Sequence, residues 1–226
     1  MAGTKLHGDM RSQPVRSLAM MMSINDIKYE YVFWDLLNRE ETIWTEAFIK
    51  MNPLKRVPTL EIDGNFIIES NAALQYLAER EGVPDHWYPR GGKERILVNT
   101  YLAWHGVDMR GKAIGWFFHA VVQHVFRGLP IDEKFVEKGR MEMEGMFDQL
   151  ETIWLKENRY IAGDDITIAD LQCINELNII ECVDYVIRKD RPKLSAWMER
   201  VRERLNPHYD DINREPLALM QNVYRK

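Results

Sequence analysis

Three stretches have the residue types and spacing to do chemistry. Ser12-Gln13-Pro14 sets a hydroxyl just ahead of a predicted helix start. Arg56-Val57-Pro58-Thr59-Leu60 carries a proline inside an apolar, β-leaning run, and Glu69-Ser70 pairs an acid with a hydroxyl. Proline cannot donate to a strand ladder. The second run therefore makes sense where Pro58 opens a strand, above all with the Val57–Pro58 bond cis, which leaves the backbone N–H and C=O of Val57 facing outward. Asn71 begins an apolar helical pattern through Ala73, Leu74 and Leu77. Ser70 then lies at a helix N-terminus, where unpaired N–H groups and the helix dipole favour a carboxylate. Exposed backbone beside an anion-binding helix end suits a short peptide ligand. Taken alone, the same residues also read as a β-hairpin leading into a serine-capped helix.

The elements that would position these residues fall into two kinds. Weak strand Lys5–Gly8, a helix from Pro14, strand Lys28–Trp34, a short helix Ile43–Ile49, two strands around the Asp63-Gly64-Asn65 turn and helix Ser70–Glu81 give the order β-α-β-α-β-β-α. Residues 82–91, bounded by breaks at Gly82-Val83-Pro84 and Gly91-Gly92, read as an ordered linker. After that the strand signal stops. A helical stretch from Arg95 to about His124 ends at Gly128 and Pro130, and a second runs from Asp132 to Lys156. Thr167–Val186 is apolar almost all round, the pattern of a buried central helix. Pro192 opens another, and the last 20 residues read as loop plus a short helix around Leu217–Val223. Thr167-Ile168-Ala169-Asp170 is a capping box with Asp in the third helical position.

Composition narrows the classes. The 226 residues are 46% hydrophobic and 29% charged, which is globular composition. A net charge of −5 argues against nucleic acid as the main partner. The first 13 residues lack an apolar signal core, and no run approaches the roughly 18 apolar residues of a membrane span, so a cytoplasmic protein is expected. Cys173 and Cys182 share a helix and lie about 13 Å apart along it, too far for a disulfide. The histidines offer no third ligand to any pair, so no metal is expected.

The small α/β unit with a cis-proline signature, the Glu69-Ser70 pair and the all-helical second half resemble the cytosolic glutathione transferases across essentially the whole chain. Ser12-Gln13-Pro14, the linker hexapeptide Pro84-Asp85-His86-Trp87-Tyr88-Pro89, and Tyr101-Leu102-Ala103-Trp104-His105 followed by Arg110 are most similar to the theta class. The resemblance implies a thioredoxin-like glutathione-binding domain at 1–81 and an all-helical domain at 92–226. It implies that Ser12 stabilises the glutathione thiolate, that Val57 pairs by backbone with the cysteinyl unit, and that Glu69 and Ser70 hold the γ-glutamyl end. Arg56, beside Pro58, stands where the family often has lysine near the glycyl carboxylate. Arg110 and Arg11 are candidate active-site arginines, and Trp116, with Phe117 and Phe118, is a candidate for the acceptor pocket. It further implies glutathione as co-substrate, a hydrophobic electrophile as second substrate, a detoxifying role and a homodimer.

A thiol with pKa near ~8.5 needs donors and a positive field to ionise at neutral pH. Ser12 and the helix beginning near Pro14 supply both. Tyr29 and Tyr31 fall too late for a tyrosine-type site, and the first half has no cysteine. Ser12 also reads as an ordinary N-cap, and Arg110 as half of a salt bridge on a helix face. In the loop after Asp35, where theta members often carry a histidine near the glycyl end of glutathione, this chain reads Asn38-Arg39-Glu40-Glu41 instead. The tail is short for that class, so a more open acceptor pocket is expected. A non-catalytic binding or scaffold module with the same fold is the rival reading.

Overall fold

The computed structural model describes residues 3–225. Strands β1 (Thr4–Gly8), β2 (Glu30–Phe33), β3 (Thr59–Ile62) and β4 (Asn65–Ile67) form one mixed sheet in the order β2-β1-β3-β4. β1 pairs parallel with β2 in the register Leu6–Tyr31 and antiparallel with β3 in the register Leu6–Leu60. The parallel pair requires a crossover, and α1 (Gln13–Ile24) provides it. α1 sits against the end of β1 because Gly8 has no Cβ; a methyl group there would come within 2.6 Å of Val15. The β3–β4 hairpin turns on Asp63 and Gly64, both at positive φ, as the two-residue Asp-Gly signal requires. α2 (Glu46–Met51) and α3 (Ser70–Ala78) complete this unit.

The second half is helical: α4 (Gly92–Trp104), α5 (Ile114–Phe117), α6 (Glu133–Gln149), α7 (Ile168–Glu181), α8 (Pro192–Leu205) and α9 (His208–Tyr224). The Arg95–His124 stretch runs from Gly92 to Phe126. His105–Ala113 and Phe118–Phe126 wind as wider π turns around short α5; such turns re-aim side chains and gather at functional sites. α7 is buried from Ile168 to Ile180 and packs against α1, α3, α4 and α8. Its N-terminus carries the expected box: the Ala169 N–H donates to Thr167 Oγ1 over 3.2 Å and the Thr167 N–H to Asp170 Oδ2 over 2.9 Å.

Several boundaries differ from the sequence reading: the helix read as Ser70–Glu81 ends at Ala78, and the one read as Thr167–Val186 ends at Glu181. Strand Lys28–Trp34 shortens to Glu30–Phe33. The short helix begins at Glu46, not Ile43, because Thr45 caps it by accepting from the Phe48 N–H. The C-terminal segment is one 17-residue helix, α9, with Pro216 inside it. A proline inside a helix favours a break, but Tyr209, Asn213 and Met220 are buried, and that packing holds the helix through it.

Candidate active site

Ser12 follows the tight turn that leaves β1. Its N–H donates to the Asp9 carbonyl over 2.8 Å, and its own carbonyl accepts from the Arg16 N–H. It occupies the N-cap of α1, yet its hydroxyl makes no capping bond. The hydroxyl is thus left for another partner at the positive end of the helix. Buried Asp9 accepts from the Arg11 and Leu36 N–H groups and from the Arg11 guanidinium, which also pairs with Asp35. Burial opposes the Arg11 charge, but the two carboxylates outweigh it and raise its pKa. The Leu37 N–H and Arg11 hold the Asp35 carboxyl below its usual range. Beneath this turn lies Arg16, fully buried, donating to the Met10 and Arg11 carbonyls over 2.9 and 3.1 Å.

The second wall is the loop before Pro58, whose bond to Val57 is cis. Buried Asn52 organises it. Its side chain donates to the Arg56 carbonyl over 2.8 Å and to Thr59 Oγ1 over 3.0 Å, and accepts from the Leu54 N–H. Val57 makes no ladder bond among the described residues, because pairing of β3 with β1 begins at Thr59. Lys55, at positive φ, joins Arg56 and Val57 on the face turned to Ser12.

These walls meet the helical half around a cavity of about 450 Å³. Arg11, Ser12, Arg56, Val57 and Arg110 all line it, so the structure brings these candidates together with Phe117 and Phe118, named in the sequence beside Trp116. Ile114, Phe117, Phe118, Val122 and Phe126 supply an apolar side, and Met220 reaches in from α9. Arg110 does both things the sequence allowed. It lines the cavity, and it pairs with Glu176, a fully buried carboxylate on α7. Burial, the largest single influence, pushes the Glu176 pKa up, but Arg110 and His105 together more than compensate, and the net shift is downward.

Trp116 does not line the cavity. Its ring packs edge-on to Tyr185 at 5.1 Å and lies against Gly139 on the far side of the helix. Neighbours in a helix point about 100° apart, so only one side of Trp116-Phe117-Phe118 can face the site. Glu69 and Ser70 lie outside the cavity lining, at the N-terminus of α3. There Gln172 of α7 donates to Ser70 Oγ over 3.0 Å and to Asn71 Oδ1 over 2.7 Å.

Neither cysteine reads as a nucleophile. Both are buried; burial pushes the Cys173 thiol well above its ordinary pKa and Cys182 to about 11. The Tyr31 hydroxyl donates to the Gly8 carbonyl, and burial raises its pKa to about 12. No group of three or more His, Cys, Asp or Glu that could hold a metal gathers among the described residues. Sequence reasoning missed Asn52, Lys55, Arg16 and Gln172. Only Asn52, directly before Pro53, carried a signal, since Asn-Pro marks a turn.

A thioredoxin-like sheet unit capped by a helical half, with the cavity between them, defines the architecture of the glutathione transferases. Residues 1–79 match the model of the glutathione S-transferase N-terminal domain, and residues 113–204 that of the C-terminal domain. Bovine glutathione S-transferase theta-1 is 36% identical over 200 residues, covering 88% of this chain and 82% of that protein. Mouse theta-3 is 34% identical over the same shares. Human glutathione transferase theta-2, solved in complex with glutathione, superposes with a TM-score of 0.90 at 29% identity, over 99% of this chain and 91% of that one. The chain belongs to the glutathione S-transferase family, with theta-class members among its relatives.

Proposed function

We propose that this chain is a serine-type glutathione transferase that attacks hydrophobic electrophiles with the glutathione thiolate. The observation that carries the reading is the Ser12 hydroxyl, uncommitted to capping at the start of α1, in one cavity with Val57, Arg56 and Arg11. Glutathione is the co-substrate. Its cysteinyl backbone pairs with Val57, its glycyl carboxylate meets Lys55 and Arg56, and its γ-glutamyl end reaches Glu69 and Ser70. The sulfur then lies at Ser12, where the hydroxyl donates to it and the helix dipole favours negative charge. Both favour the thiolate over the thiol, so the bound thiol loses its proton to solvent near neutral pH. The thiolate forms a C–S bond to the electrophilic carbon, and the leaving group departs with the electron pair of the broken bond. Binding both reactants side by side supplies proximity.

Residues 1–81 bind glutathione in this reading, residues 92–226 shape the acceptor site, and 82–91 join them. Exposed Tyr76 and Ile96 on α3 and α4 suit a homodimer contact. No helix among the described residues is long and apolar enough to cross a membrane, which suits the cytoplasm. The test is Ser12→Ala with an activated aryl halide. The apparent pKa of bound glutathione should rise by about one unit, tenfold in thiolate population, while glutathione affinity holds. An unchanged pH profile sinks the serine assignment. Glutathione binding with no conjugation of any electrophile returns the protein to the scaffold reading.

A further inference from the structure

The cavity carries more positive charge than its surroundings neutralise. Arg11, Arg39, Lys55, Arg56, Arg110 and Arg127 line it, and no aspartate or glutamate does. Arg11 is paired with Asp9 and Asp35, and Arg110 with Glu176. Lys55 and Arg56 flank the loop assigned above to the glycyl carboxylate. Arg39 and Arg127 remain. Neither side chain makes an ion pair or a hydrogen bond among the described residues, and Arg39 Nε is buried without a partner.

The two arginines come from different halves of the chain and converge on one ring. Their guanidinium carbons lie 5.9 and 6.0 Å from the Phe118 centroid. A ring face attracts a cation by only about 0.5–1 kcal/mol at an exposed site, and it does nothing to separate two like charges. Burial, and then the charge of Arg127, hold the Arg39 pKa below its ordinary value; adjacent Glu40 only partly offsets them. An anion between the two guanidinium groups would remove the repulsion and use both planar forks. Ile114, Val122 and Phe126 provide an apolar surface beside them.

We infer that Arg39 and Arg127, gathered at Phe118, form an anion-binding subsite for the second substrate. It selects electrophiles that carry a carboxylate or sulfonate on an apolar body. The inference rests on the conjugation reading above and adds the substrate class. The anion is retained: the thiolate forms the C–S bond at a carbon that loses halide with its electron pair, and the carboxylate stays on the product.

The test measures binding of products, so it does not depend on turnover. S-(4-carboxybenzyl)glutathione and S-benzylglutathione are titrated calorimetrically into the wild-type protein, Arg39→Gln, Arg127→Gln and the double variant. The wild type should bind the carboxylate product roughly tenfold or more tightly, as hydrogen bonds to a charged group allow. Each single variant should lose much of that preference and the double variant all of it, with S-benzylglutathione bound alike by all four. Equal wild-type affinity for the two products overturns the subsite. So does an equal loss for both products in the variants, which would assign the arginines to glutathione's own carboxylate. Rates with 4-(chloromethyl)benzoate and benzyl chloride are read separately. Absence of any turnover sinks the conjugation reading, while the binding data still decide the subsite.

Discussion

Arg16 Nη2 donates to Asn178 Oδ1 over 3.0 Å, joining the first helix to the central helix of the second half. The same guanidinium holds the carbonyls of Met10 and Arg11. A single buried side chain therefore ties the turn that presents Ser12 to α7. Burial lowers its pKa to about 10, against the opposing pull of Glu176, so it stays charged at neutral pH.

Arg16→Lys keeps the charge but not the planar fork, and one ammonium cannot span both carbonyls and Asn178. The turn should loosen and Ser12 should lose its aim. The expected result is a fall in kcat, on the order of tenfold or more for a misplaced catalytic group, and a pH profile displaced upward as in Ser12→Ala. Lower thermal stability with an unmoved pH profile would confine Arg16 to a folding role.

Gln172 fixes the other end of the proposed glutathione site. It donates to both Ser70 Oγ and Asn71 Oδ1 at the start of α3. Gln172→Leu fills similar volume and removes both donors. Glutathione affinity should fall by about threefold to tenfold, the scale of one ordinary hydrogen bond, with little change in the pKa of bound thiol. Calorimetry and the thiolate absorbance separate the two effects. A displaced thiol pKa would contradict this division of labour.

The sheet unit was legible because each of its devices is local. Asp63-Gly64 demands a two-residue turn, Pro58 must open its strand, and Pro14 marks the first turn of α1. The capping box at Thr167 was legible for the same reason. What could not be read was the polar side of α7. Gln172, Asn175, Glu176 and Asn178 are all buried, and their side-chain partners outside α7 lie more than 30 residues away in the chain. Asn175 donates to Ser17 over 3.1 Å, for example, and Asn178 to Asn213 over 3.1 Å. Periodicity reports only that a helix is buried, not which polar groups across the fold will meet its own. Trp116 failed for a related reason: its direction is set by the winding of the helix around α5, which no single-sequence pattern gives.

The start of α7 should be a large contributor to stability. Asp170 accepts from the Ile161 and Thr167 N–H groups, from Thr167 Oγ1 and from Trp197 Nε1, all between 2.8 and 3.1 Å. An ordinary cap is worth roughly 0.5–2 kcal/mol. Here removal also strands buried donors, at about 1–3 kcal/mol for each unsatisfied group. Asp170→Ala should therefore lose about 3 kcal/mol or more, and Thr167→Ala about 1 kcal/mol. Urea midpoints of the two variants should rank in that order. Equal midpoints would remove Asp170 from its central place.

The Arg110–Glu176 pair makes a prediction about pH. Glu176 is fully buried and Arg110 is about one-third exposed. Removing one partner of a fully buried pair costs about 3–5 kcal/mol; with Arg110 partly in water, about 2–3 kcal/mol is expected for Arg110→Gln at neutral pH. The sign follows from which way Glu176 is shifted. In the wild type its pKa lies below the ordinary 4.5: burial alone would raise it, but Arg110 and His105 together outweigh burial. Its contribution is present above pH 4.5 and is lost as pH falls through the lower folded value. In Arg110→Gln, burial remains, opposed by the long contact to His105, 3.6 Å away, and by the charge of buried Arg16. The Glu176 pKa then rises above 4.5, and the folded variant takes up a proton before the unfolded chain does. Acid therefore relieves the variant while it weakens the wild type. The stability gap should be widest at pH 7 and should narrow steadily towards pH 4, measured by urea unfolding at each pH. Glu176→Gln in the Arg110→Gln background should restore most of the loss at pH 7 and flatten the dependence. A gap that stays constant from pH 7 to pH 4 would show that Arg110 stabilises the protein through packing of its side chain and not through the buried carboxylate.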